Sequence, residues 1–327
     1  MKNRNLRVTR NVALAVAASA LFALVLSASA FGQTLEVWIL DVDWAQPAVV
    51  NEFLDRFEAE TGIRTERVSL NYGDLHSKFT VAVAAGVSPD LLFADSSNVL
   101  NWVAGGGVAP VDRYLEPYVD RFIPGKVRES SFAGKMYALP FDFQVRGLFW
   151  NADLFEAAGY DGSVPPATIA DLDAYALKLT ETRPDGGIAK LGFYPSAHNW
   201  GMLGWIWTFG SDAFDWETGR PTVNIPGNRE VLEWMRTYAD RWPVADFEAF
   251  MQSNGGTYLN AFPQGTVAMM LEGATYIPDL RARFPQLNFR TGRAPVPPGG
   301  RNGVWAGGLS IVVPKATRDE AAAGKLL

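Results

Sequence analysis

The sequence contains no cysteine and only two histidines, His76 and His198. Without cysteine there is no disulfide framework, no thiolate nucleophile and no Cys-ligated zinc or iron–sulfur site. Two histidines leave little for a His-rich metal centre or a histidine-based triad. Charge is modest as well, at 20% of 327 residues against 48% apolar. That balance excludes a largely disordered chain, a collagen-like chain and a coiled coil. The surplus is aromatic, with 11 Trp, 10 Tyr and 20 Phe. Aromatic rings without Cys or His point to binding by flat apolar faces rather than to common catalysis. At roughly 150 residues per domain, the length suggests two domains.

The first thirty residues have a separate logic. Lys2, Arg4, Arg7 and Arg10 precede an apolar run from Val12 to Leu26, and Ala28-Ser29-Ala30 follow. The run falls short of the ~20 residues that a spanning helix needs. This layout reads as a cleavable secretory leader, residues 1–30, cut after Ala30, with a cut after Gly32 as the alternative. No cysteine follows it, so no lipid anchor is expected. The leader holds four of the 29 basic residues and none of the 35 acidic ones, leaving 25 against 35, or −10. Such a balance argues against nucleic acid and against anionic membrane surfaces.

Thr34–Leu40 is rich in strand formers, and Pro47 suits the first turn of a helix carrying Val50, Phe53, Leu54 and Phe57. Arg64–Leu70 reads as a second strand, Asp74–Ala85 as a second helix and Leu91–Ala94 as a buried parallel strand. This alternation predicts an α/β fold, with ligands beyond the carboxyl ends of the strands at Asp41–Trp44 and Asp95–Asn98. Further on, Phe132–Asn151 holds two strands, and Lys190–Tyr194, Gly265–Leu271 and Leu309–Val313 read as strands. Thr168 with Asp171, and Thr317 with Glu320, have capping-box spacing. So few residues follow Glu320 that the chain reads as truncated. Asp41 and Asp43 lack the glycine and terminal glutamate of a calcium loop. Gly105–Gly107 match no phosphate-binding fingerprint and read as a helix stop. Neither a metal nor a cofactor is expected.

Four stretches carry a family resemblance: VSPDLLFADSSNVLNWVAGGGVAPVDRYL, FAGKMYALPFDFQVRGLFWNADLFEAAG, GTVAMMLEGATY and VWAGGLSIVVPK. In this order, behind a leader, they resemble the periplasmic sugar-binding proteins of ABC importers, family 1, the group of maltose-binding protein. The resemblance implies a two-lobed periplasmic binding protein type II fold with a hinge between the lobes and the C-terminal helices missing. One lobe would be residues 33–142 plus 308–327, and the other residues 143–307. It also implies a monomer in the periplasm that captures a carbohydrate in an inter-lobe cleft and passes it to ABC permease subunits.

A sugar needs carboxylates or amides for its hydroxyls and aromatic planes for its C–H faces. Asp43 and Trp44 follow the first strand, although Asp43 could instead cap the next helix. Asp95 and Ser96 end the third strand and carry the same ambiguity. By the resemblance, Asp142, Phe143 and Gln144 sit at the first crossing between lobes, and Trp305 and Gly307 at the second. It also implies that Trp200 and Tyr276 contact ligand, each against a packing role; Trp205 and Trp207 read as core. A different reading is a secreted carbohydrate-active enzyme using Asp43, Asp142 and Glu272 as acid/base carboxylates.

Overall fold

The computed structural model describes residues 33–42, 45–197, 200–215, 218, 220–301 and 306–327. The leader, Asp43, Trp44, His198, Asn199 and Trp305 lie outside them. In chain order the first elements are β1 (Thr34–Leu40), α1 (Pro47–Thr61), β2 (Arg64–Leu70), α2 (Tyr72–Ala85) and β3 (Leu91–Asp95). Then come α3 (Pro124–Glu129), β4 (Ala138–Pro140), β5 (Gln144–Asn151), α4 (Ile169–Leu179) and α5 (Gly201–Thr208). They are followed by α6 (Pro226–Arg241), α7 (Val244–Ser253), β6 (Met269–Gly273), α8 (Tyr276–Arg283) and β7 (Phe289–Gly292). The last are β8 (Ala306–Gly307), β9 (Leu309–Val312) and α9 (Glu320–Leu326). The chain divides into two compact units: unit 1 runs to Asp142 and resumes at Gly308, and unit 2 is Phe143–Gly307.

Unit 1 is built on a five-stranded sheet in the order β2-β1-β3-β9-β4. The first three strands are parallel, and β9 runs antiparallel to both neighbours. Leu91, Leu92, Phe93 and Ala94 are fully buried, as a strand covered on both faces should be. On α1, Val50, Leu54 and Phe57 form the buried stripe, and Gly62 ends the helix in the left-handed conformation at φ 71°. Each such apolar side chain contributes roughly 1.5–3 kcal/mol by leaving water.

Unit 2 carries an antiparallel sheet, β6-β5-β7, with β8 also pairing with β5. Its core is more aromatic, including Phe149, Trp150, Phe155, Phe193, Trp205 and Phe262. The Thr168–Asp171 capping box forms with both reciprocal hydrogen bonds and starts α4. The spacing at Thr317 and Glu320 does not: Asp319 caps α9 by accepting the Ala322 amide, and Thr317 donates to Asp90 instead. Buried Asp90 is the stronger claimant on that hydroxyl. The strand expected over Lys190–Tyr194 is Ile188–Lys190, with an isolated bridge from Leu191 to Val267. The region 132–151 holds four strands rather than two, because Gly134 supplies a tight turn at φ 78°. Among the described residues no helix is long and apolar enough to cross a membrane.

Candidate functional site

In unit 1 the strand order brings three of the sequence-predicted residues together. Register places Leu309 of β9 opposite Asp95 at the carboxyl end of β3. Asp142 accepts the Leu309 amide through Oδ1. This approach depends on Gly308, whose φ is 131° and where any side chain would run into the Asp142 carboxylate. The Asp95 carboxylate accepts the Ser97 amide at 2.8 Å, so it serves as a local cap.

Ser96, between them, is 2% exposed. Its amide donates to the Gly308 carbonyl at 3.0 Å. Its hydroxyl accepts Lys126 Nζ at 3.1 Å and has Gly308 O at 3.0 Å and Glu129 Oε1 at 2.9 Å as acceptors for its one proton. Lys126 Nζ also donates to Glu129 Oε2 at 2.6 Å. The Ser96 hydroxyl is therefore engaged inside the protein and acts by fixing the backbone. Sequence reasoning missed Lys126 and Glu129. Their i,i+3 spacing on α3 reads as a solvated surface pair, yet Lys126 is only 3% exposed.

In unit 2, Gln144 opens β5 opposite Gly307 of β8, so these two predicted residues share one ladder. Gln144 is buried, whereas Phe143 just before it is 43% exposed and offers an open ring. Tyr276 begins α8 half-buried, its ring centroid 6.5 Å from that of Phe149. Its hydroxyl donates to the Leu259 carbonyl at 2.6 Å. Burial, with the Asp279 and Glu272 carboxylates nearby and Arg283 opposing them, pushes that hydroxyl up to about 12. It therefore stays a donor at neutral pH.

Trp200 departs from the expectation of a ligand-facing ring. It is 2% exposed, its Nε1 donates to Thr208 Oγ1 at 3.3 Å, and its ring lies 6.1 Å from Trp205. Gly204 on α5 leaves the space this indole fills, since a side chain there would meet it. The ring is core and has no open face for a sugar. Trp205 is core as read from the sequence, and Trp207 packs partly buried against it.

Glu272, weighed as a catalytic carboxylate, is 8% exposed. It accepts the Gly273 amide at 2.6 Å and the Tyr258 hydroxyl at 2.7 Å. A carboxylate held this way braces the end of β6. Among the described residues no cluster of three or more His, Asp or Glu side chains could hold a metal ion.

Known proteins resemble this chain in sequence and in fold. A binding protein of Brucella abortus is 25% identical over 281 residues, covering 83% of this chain and 65% of the relative. The arabinooligosaccharide-binding protein of Bacillus subtilis is 24% identical over 266 residues, covering 78% and 59%. The chain thus spans less than two thirds of the length of these curated relatives. The solved structure of CpMnBP1 with mannotriose bound has a TM-score of 0.80 at 29% identity, covering 90% of this chain and 76% of that one. Its mannobiose-bound structure gives 0.79 at 28%, with the same coverage. The fold is that of the two-lobed sugar-binding proteins, and these relatives are solute binders rather than enzymes. With its sequence pattern matched over residues 42–327, the chain belongs to the bacterial extracellular solute-binding protein family.

Proposed function

We propose that this chain is the substrate-binding component of an ABC importer. It captures a neutral oligosaccharide in the periplasm and delivers it to membrane permease subunits as a monomer. The observation that carries the reading is the likeness to CpMnBP1, whose structures hold mannobiose and mannotriose. The arabinooligosaccharide-binding relative supports the same ligand class. The residues proposed to contact such a ligand are Asp43, Trp44, Phe143, Tyr276 and Trp305 for its hydroxyls and C–H faces, together with Asp95, Asp142, Gln144 and Gly307. Ser96 belongs to the shell that positions this backbone.

The test is calorimetric titration of the purified protein with mannose and arabinose oligosaccharides of two and three units, followed by chromatography of the recovered sugar. Micromolar binding with the sugar returned intact is the expected result. Shortened products would favour the enzyme reading, and the absence of binding in both series would overturn the import reading. For export, the leader predicts a periplasmic protein whose N-terminal residue is Phe31 after cleavage behind Ala30. An N-terminus still at Met1 in that fraction would contradict it.

A further inference from the structure

The turn that ends α7 puts two local requirements on consecutive residues. The Asn254 side-chain amide donates to the Phe250 carbonyl at 2.8 Å and to Ser253 Oγ at 3.2 Å, satisfying a carbonyl that the helix end leaves open. Gly255 and Gly256 follow in the left-handed conformation, at φ 88° and 79°. A side chain at Gly255 would also stand 2.9 Å from Asn260 Cβ. The fold therefore asks for a side-chain donor at 254 and for glycine at 255.

This pair carries its own chemistry. Asparagine is among the thermolabile residues, because the next backbone nitrogen can attack its side-chain carbonyl carbon and close a five-membered ring. A glycine in the next position offers no side chain to shield that nitrogen. The amides on either side are occupied, Asn254 and Gly256 donating to the Met251 carbonyl at 3.1 and 2.8 Å. The Gly255 N–H between them makes no hydrogen bond among the described residues. Gly255 is exposed and Asn254 half-buried, so water reaches the pair. The bond to Phe250 must open before attack, which makes the change slow.

We propose that Asn254 is a site of spontaneous deamidation, and that its conversion unfastens the C-terminal end of α7. The Gly255 nitrogen bonds to Asn254 Cγ and loses its proton, and the Asn254 side-chain nitrogen leaves as ammonia. Water then opens the cyclic imide at either carbonyl, giving aspartate or isoaspartate, with no oxidant or reductant involved. An ionised carboxylate has no proton to donate to the Phe250 carbonyl. It also places negative charge at a helix C-terminus, where the helix dipole opposes it. Isoaspartate adds a backbone carbon to the turn leading to Tyr258, whose hydroxyl bonds Glu272. The chemistry is independent of what the protein binds.

The experiment holds the folded protein for days in mildly alkaline buffer. Peptide mapping by mass spectrometry and enzymatic methylation of isoaspartyl groups follow the change. The expected result is a gain of one mass unit that fragment spectra assign to Asn254, accumulating with time as two isomeric products. It should be absent in Asn254→Gln, whose longer side chain closes the larger ring less readily. Asn302-Gly303, the other Asn-Gly pair of the sequence, falls on a separate tryptic peptide. Asn254 left intact in the folded protein, or converted only after unfolding in urea, would overturn the site. Asn254→Asp should melt below wild type and exchange amide hydrogens faster at the end of α7. Melting and exchange equal to wild type would overturn the unfastening.

Discussion

Ser96 and Trp44 illustrate two ways in which a residue at a strand end can matter. The Ser96 hydroxyl joins Lys126, Glu129 and the Gly308 carbonyl inside unit 1. Ser96→Ala removes one acceptor from a buried ammonium and one donor from a buried carbonyl, a cost of about 1–3 kcal/mol. Urea denaturation should show that loss, while the folded protein keeps its sugar affinity within a few fold. Weaker binding at unchanged stability would instead make Ser96 a direct ligand contact. Trp44 comes four residues after the end of β1 in sequence, after Asp41 and Asp43, and is proposed from that position to stack on the ligand. Trp44→Ala should weaken oligosaccharide binding by ~2 kcal/mol, or about thirtyfold. An unchanged dissociation constant would remove Trp44 from the site.

At the scale of elements, the two Thr-x-x-acid spacings behave differently for a reason the sequence hides. Thr168 caps α4 and bonds Asp171 in both directions. Thr168→Ala should therefore cost about 1 kcal/mol of unit 2 stability. Thr317 has the same spacing to Glu320 but donates 3.1 Å to Asp90, which also receives the Arg318 amide at 2.9 Å and its guanidinium at 2.6 Å. Thr317→Ala should thus destabilise unit 1 through Asp90 and leave the α9 helical signal in place, which circular dichroism alongside denaturation can separate. Loss of α9 helicity would restore Thr317 as a cap. Local patterns were legible wherever local physics decides. The strands β1, β2 and β3, the proline opening α1 and the glycine closing it all formed as read. Trp200 and Lys126 were not legible, because burial of a ring or an ammonium depends on residues distant in sequence. Asp142 meets Leu309 across 167 positions, a contact no spacing rule reaches.

For the whole molecule, carboxyls held below their ordinary value occur in both units, Glu58 and Asp90 in unit 1 and Asp161, Asp171 and Asp185 in unit 2. The raised tyrosines lie in unit 2, and stability should therefore fall at both ends of the pH scale. In unit 1, burial works against the Asp90 charge, but hydrogen bonds from the Arg318 side chain, the Glu36 and Arg318 amides and Thr317 outweigh it together. They hold the carboxyl below its ordinary 3.8. A depressed carboxylate contributes stability above its unfolded value, and that contribution is lost as pH falls through the folded one. In unit 2 burial pushes Tyr175, Tyr194, Tyr238 and Tyr276 upward, with Tyr276 reaching about 12. Tyr238, most strongly raised, donates to Asp173 at 2.6 Å, and that carboxylate adds to the effect of burial. A raised phenol contributes fully below the ordinary 10 and loses that contribution as pH climbs through the folded value. Melting followed by calorimetry from pH 3 to pH 11 should show a plateau between about pH 5 and 9, falling at both ends. Asp90→Asn should flatten the acid fall and lower the plateau, since Asn offers Arg318 no charge. Tyr238→Phe should remove about 1.5 kcal/mol at neutral pH, the scale of a bond to a charged group, and flatten the fall above pH 10. An acid limb unchanged by Asp90→Asn, or an alkaline limb unchanged by Tyr238→Phe, would show that the titration controlling that limb lies elsewhere.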